Sequence, residues 1–82
     1  MNISVELSMY PLAEEYGTPI LKFINRLKAC DGISVSTNTM STQVFGDYDL
    51  VMDVLKKEMK RAFEDEKTVV MVAKFANLDL KP

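Results

Sequence analysis

A dense group of polar, uncharged side chains lies in the middle of the sequence, from Asn38 to Asp49. It combines hydroxyls and carboxamides with a thioether and aromatic rings. Ser8 and Tyr10 add two more hydroxyl groups near the N-terminus. Such a set suits a flat, neutral or weakly cationic heterocycle that stacks on apolar surface and is oriented by a few hydrogen bonds. The alternative interpretation is that the Ser and Thr residues only form the polar face of a strand.

Residues that could carry out catalysis are sparse. The sequence has no His, which removes Ser-His and Cys-His nucleophile pairs and imidazole metal ligands. Cys30 lies near the predicted C-terminal end of a helix, which does not stabilise a thiolate. The carboxylate clusters at Glu14-Glu15 and Glu64-Asp65-Glu66 are typical of solvated acidic surface. We therefore predict no enzyme activity, no cofactor and no metal site.

Length and composition predict one globular domain over residues 1–82, with a net charge of −2. Lys and Arg are not gathered in one segment, so we expect no nucleic-acid partner. The longest apolar run, Val69 to Ala73, is far shorter than the roughly 20 residues of a membrane span, so we expect no membrane association. The first residues lack the pattern of a secretory signal, and the single thiol fits a reducing compartment.

Hydrophobic periodicity predicts a strand and a helix in the N-terminal part of the chain. Apolar and polar residues alternate from Ile3 to Tyr10, which indicates a half-buried strand that Pro11 ends. Thr18 is the predicted N-cap of the first helix, and Pro19 is its predicted first residue. The predicted apolar stripe of this helix comprises Ile20, Phe23, Ile24 and Leu27. Gly32 is predicted to close this helix in a left-handed conformation.

The sequence of the remaining chain predicts a β-hairpin, a second helix and a last strand. The hairpin strands are predicted at residues 33–39 and 41–45, and the last strand at residues 68–77. Asp47 is the predicted N-cap of the second helix. The predicted inward stripe of that helix is the clearest in the sequence. It comprises Tyr48, Val51, Met52, Leu55, Met59, Ala62 and Phe63.

The order strand, helix, strand, strand, helix, strand is the split βαβ pattern of the ferredoxin-like fold. We therefore predict an α+β protein with a four-stranded antiparallel sheet in the order 4-1-3-2 and both helices on one face. Residues 69–76 are apolar on both sides except for Lys74, in a strand that this topology places at an edge. This pattern favours a homo-oligomer that packs through the open face of the sheet. The alternative is a twisted end of the strand, tucked under the C-terminal tail.

Two segments carry a family resemblance: Ser8-Met9-Tyr10-Pro11-Leu12 on the first strand, and Met40 to Asp49 leading into the second helix. In these segments and in its order of elements the chain resembles the YkoF-like thiamine/hydroxymethylpyrimidine-binding family, also called the UPF0045 type. The chain has Asn38-Thr39 where the family often has Gly-Pro. The resemblance implies a cytoplasmic, ferredoxin-like protein, assembled as dimers or tetramers. Such a protein binds thiamine or its pyrimidine moiety without transforming it.

The same resemblance implies a set of ligand-binding residues. In order of preference these are Tyr10, Met40, Ser41, Thr42, Ser8, Asn38 and Glu6. Their hydroxyls and amide would meet the aminopyrimidine, and an aromatic ring or a carboxylate would face the thiazolium cation. Two other hypotheses stay open. One is a ligand-free structural or regulatory interaction module that acts through its sheet face; the other is a small enzyme that uses Glu6 or Tyr10 as its acid–base group.

Overall fold

The computed structural model describes residues 1–82 and contains six elements in the predicted order. They are β1 (Asn2–Pro11), α1 (Gly17–Lys28), β2 (Ser34–Thr37), β3 (Thr42–Asp47), α2 (Tyr48–Asp65) and β4 (Val69–Ala76). The strands form one sheet in the order β2-β3-β1-β4, and each neighbouring pair is antiparallel. The ferredoxin-like prediction is confirmed. No helix is both long enough and apolar enough to cross a membrane.

The core lies between the sheet and the two helices. Alternate residues of β1 enter it, and they are all at most 9% exposed: Ile3, Val5, Leu7 and Met9. Phe23 and Leu27 of α1 and Val51 and Leu55 of α2 pack against this row. The period-two pattern of β1 and the apolar stripe of α1 therefore predicted their buried faces correctly.

The ends of α1 differ from the prediction. The N-cap is Tyr16, which makes no side-chain capping bond, and the Thr18 amide instead donates to Glu15 Oε1 at 3.0 Å. An acidic side chain just before the helix can satisfy a free amide as well as a hydroxyl can. At the other end, the C-cap is Ala29. Gly32 has the predicted left-handed φ of 86°, but it lies in the following turn.

The second helix confirms its predicted cap and corrects its predicted inward stripe. The Asp47 carboxylate accepts from the Leu50 amide at 3.3 Å. Phe63 is 47% exposed, and Tyr48, at the start of the helix, is 46% exposed, so the prediction that these two residues face the core was wrong. At 100° per residue, Phe63 lies about 80° around the helix from Leu55, whereas Ala62 lies only about 20° away. The buried arc is centred on the other side of Leu55, and it includes Glu58.

β4 is apolar on both faces, as its sequence indicated, and much of it is uncovered. Val69 and Met71 pack partly against the core, whereas Phe75 on the same side is 56% exposed. On the opposite side, Val70 and Val72 are 46% and 52% exposed. One backbone edge of β4 also has no strand neighbour.

Candidate functional site

A cavity of about 400 Å³ lies where β1 extends beyond the end of its neighbour β3. β1 pairs with β3 only as far as Leu7 opposite Thr42, but it pairs with β4 as far as Pro11 opposite Val69. The backbone of residues 8–11 therefore has no strand beside it on the β3 side. The hairpin between β2 and β3 and the segment leading into α1 surround this gap.

The cavity has an apolar floor and an exposed rim. Met9, Phe23 and Ile24 are buried, and they form part of the floor. The most exposed apolar side chains of the lining are Tyr10, Leu12, Tyr16 and Met40, which are between 52% and 84% exposed. None of the 16 lining residues carries a charge. The site therefore offers stacking surface, hydroxyls and amides, and no ion-pair partner for a phosphate.

The hairpin presents its polar groups in a fixed conformation. The Asn38 side-chain oxygen accepts from the amides of Met40, at 2.8 Å, and Ser41, at 3.0 Å. This Asx turn takes up residues that the sequence predicted to lie in the two strands, 33–39 and 41–45, so the strands end at Thr37 and begin again at Thr42. The Asn38 oxygen is therefore engaged in shaping the turn. The Ser8 hydroxyl lies 3.5 Å from the Met40 carbonyl, which places the hairpin beside β1.

Thr42 lies deeper than the other predicted polar residues and is only 6% exposed. Because it pairs with Leu7, its side chain shares the core-facing side of the sheet. Its hydroxyl is 3.2 Å from that of Thr37, which also lines the cavity. The Thr37 hydroxyl is in turn 3.4 Å from the Ser41 carbonyl. Both hydroxyls thus belong to a local hydrogen-bond network that a ligand would extend or compete with.

Glu6 lies outside this cavity. Its Oε1 is 3.4 Å from Lys74 Nζ, and its Oε2 accepts from the Ser41 hydroxyl at 3.0 Å. Glu6 and Lys74 line a neighbouring depression of about 350 Å³ on the open face of the sheet. The carboxylate is therefore paired with a cation of its own chain. It contacts the cavity only through Ser41.

The structure brings together six of the seven predicted site residues: Ser8, Tyr10, Asn38, Met40, Ser41 and Thr42. Sequence reasoning did not assign Tyr16, Ile20, Phe23, Ile24 and Thr37 to the lining. The three α1 residues belong to a stripe that was assigned to the core alone. In the predicted topology this stripe of α1 packs against the end of β1, and that position could have indicated that its residues line the site.

Comparison with models of known protein families shows to which family the chain belongs. The model of the YKOF-related family matches residues 2–77, which is nearly the whole sequence. The chain belongs to the YKOF-related family. No curated protein gives a significant match to it.

Solved structures support the same fold for this YKOF-related chain. The hypothetical protein MJ1052 of Methanocaldococcus jannascii is 26% identical, with a TM-score of 0.81 over 99% of this chain and 84% of that one. TM0486 of Thermotoga maritima, whose name provisionally assigns it to thiamine biosynthesis or salvage, is 19% identical. Its TM-score is 0.82 over 99% of this chain and 85% of that one. SP2199 of Streptococcus pneumoniae is also 19% identical, with a TM-score of 0.77 over 98% and 90% of the two chains.

Proposed function

We propose that this YKOF-related protein binds unphosphorylated thiamine, or its hydroxymethylpyrimidine moiety, in the cavity at the end of β1. The observation that carries the proposal is the lining, which combines aromatic, thioether and hydroxyl groups without a single charge. The family match and the name of TM0486 support the same ligand class.

The chemistry of the ligand fits the residues available. The aminopyrimidine is flat and carries one donor amine and ring-nitrogen acceptors, which the hydroxyls of Ser8, Ser41 and Thr42 can meet. The thiazolium carries a positive charge that the face of Tyr10 or Tyr16 can stabilise. A cavity without Lys or Arg favours thiamine over its phosphates, because a buried phosphate needs a charged partner.

The proposal assigns binding without transformation of the ligand. The only side chains of the lining that carry an ionisable proton are the phenols of Tyr10 and Tyr16. The lining holds no carboxylate, imidazole or amine that could act as a general base beside either phenol. A cytoplasmic, homo-oligomeric protein, as a dimer or tetramer, completes the proposal. The exposed Val70 and Val72 on the edge strand support association through the sheet.

A second candidate function is that of an interaction module without a small ligand. The same exposed residues of β4 favour it, since an apolar edge strand is a surface for protein contacts. In that case the cavity at the end of β1 would bind no small ligand, and would be either a packing defect or part of the surface that contacts another protein.

Isothermal titration with thiamine, thiamine monophosphate, thiamine diphosphate and free hydroxymethylpyrimidine tests the proposal. We expect thiamine and hydroxymethylpyrimidine to bind, and each added phosphate to weaken binding. The absence of heat and of any thermal shift with all four compounds at millimolar concentration would remove the proposed function and leave the interaction module. Tighter binding of the diphosphate would show that the ligand lies elsewhere on the chain.

A further inference from the structure

The open face of the sheet is divided into a covered half and a bare half. Phe45 points away from the helices, since it follows the core residue Val44, yet it is only 5% exposed. Ser4, its partner in the β1–β3 ladder, is 7% exposed. The C-terminal segment, residues 77–82, lies over this end of the face: the Ser4 hydroxyl donates to the Leu78 carbonyl at 2.6 Å and accepts from the Leu80 amide at 2.8 Å. Leu80 lines the same depression as Phe45.

The bare half of this face is an apolar patch next to the cavity. Ser8 pairs with Val72, and Tyr10 pairs with Val70, so these four side chains lie side by side on β1 and β4. We call these four residues the open patch. Tyr10, Val70 and Val72 are each about half exposed. The C-terminal segment is held at Ser4, at the opposite end of β1, and leaves these residues uncovered.

The open patch and the cavity share two residues. Ser8 and Tyr10 line the cavity while they also face the open side of the sheet. Met40, at 84% exposed, stands on the hairpin at the same end, and its carbonyl is 3.5 Å from the Ser8 hydroxyl. A protein that packs on Val70 and Val72 would therefore also cover the rim of the cavity that Tyr10 and Met40 form.

The charges beside the open patch are self-complementary. Glu6 and Lys74 pair directly across β1 and β4, two residues along the ladder from Ser8 and Val72 and on the same face of the sheet. A patch with one carboxylate and one ammonium at adjacent positions can meet its own copy across a twofold axis, because each group then faces the opposite charge. A partner of uniform charge would meet repulsion from one of the two groups.

We infer that a second copy of this chain docks on the open patch and closes the cavity, so that ligand binding and self-association are coupled. This inference rests on the proposed function. The second copy removes Tyr10 and Met40 from water, and in a drier site stacking and hydrogen bonds hold a ligand more tightly. By reciprocity, the ligand strengthens the association by the same factor.

The test compares wild type with Val72→Lys on the open patch and with Leu21→Lys as the matched control. Leu21 is 61% exposed on α1, lines no part of the cavity and lies away from the open face. Sedimentation velocity measures association, circular dichroism measures folding, and titration with thiamine and with hydroxymethylpyrimidine measures affinity. We expect Val72→Lys to be a folded monomer that binds at least about tenfold more weakly. Leu21→Lys should retain both properties.

A dilution series of the wild-type protein keeps the inference testable if Val72→Lys fails to fold. The apparent affinity for thiamine should fall as dilution takes the protein from its associated state to the monomer. A monomeric variant that binds as tightly as wild type, or wild-type binding that does not change with dilution, would overturn the coupling and leave the proposed function standing. A wild-type protein that binds no thiamine compound at any concentration would remove both.

Discussion

Arg26 of α1 and Glu58 of α2 form an ion pair beneath the sheet, with Nε and Oε2 3.4 Å apart. Glu58 is 3% exposed, and neither of these two atoms has a hydrogen-bond partner of good geometry. Arg61 contributes a second contact to Glu58 at 3.4 Å, and the Arg26 guanidinium lies 6.0 Å from the ring centre of Phe23. A charge pair that is buried at Glu58 and 17% exposed at the Arg26 side chain thus joins the two helices.

Removal of one partner of this pair should destabilise the protein more than removal of both. Arg26→Met leaves the Glu58 carboxylate buried without its main partner, which typically costs about 3–5 kcal/mol. The double variant Arg26→Met/Glu58→Leu replaces both charges by apolar groups, and we expect it to recover most of that loss. Urea unfolding monitored by circular dichroism measures both. Equal destabilisation of the single and double variants would show that the pair itself contributes little.

Two residues eight positions apart on α2 should respond very differently to truncation. Leu55 is 2% exposed, so Leu55→Ala should lower the free energy of unfolding by about 2–5 kcal/mol. Phe63 is 47% exposed, and we expect about 1 kcal/mol or less for Phe63→Ala. Thermal or urea unfolding measures the difference. A larger loss for Phe63→Ala would contradict the orientation of the helix described above.

Thr42→Val should weaken thiamine binding about tenfold or more, because loss of a hydrogen-bond partner at a buried polar site typically costs about 1–3 kcal/mol. Thr37→Val is the matched control, since it breaks the same 3.2 Å contact between the two hydroxyls. If Thr42 contacts the ligand directly, isothermal titration should show the larger loss for Thr42→Val. Equal losses in both variants would show that Thr42 makes no contact to the ligand that the hydroxyl pair as a whole does not share.

Substitutions of Tyr10 test whether stacking or hydrogen bonding contributes more to ligand binding at the rim of the cavity. The Tyr10 side chain is 52% exposed, so water can satisfy its hydroxyl. We therefore expect Tyr10→Phe to change thiamine affinity by less than about threefold, and Tyr10→Ala to reduce it by about tenfold or more. Affinities by titration, with folding checked by circular dichroism, decide this. A severe loss in Tyr10→Phe would assign the main role to the hydroxyl.

Patterns that repeat along the chain determined much of the fold. The alternation in β1 placed Ile3, Val5, Leu7 and Met9 in the core, because side chains of a strand alternate between its two faces. Asp47 was found as a cap because its contact, to the Leu50 amide, is only three residues away. The element order then determined the topology, and the motif around Tyr10 and Ser41 indicated which end of the sheet carries the candidate site.

The tertiary structure decided what depends on residues far apart in sequence. The cavity exists because β1 pairs with β4 beyond the point where β3 begins, and a register between distant strands leaves no local pattern. The Glu58 carboxylate can be buried because Arg26, 32 residues earlier, lies beside it. The Glu6 carboxylate forms an ion pair because Lys74 is its neighbour across the sheet. Burial and electrostatic pairing are properties of surroundings, and only the packed chain supplies them.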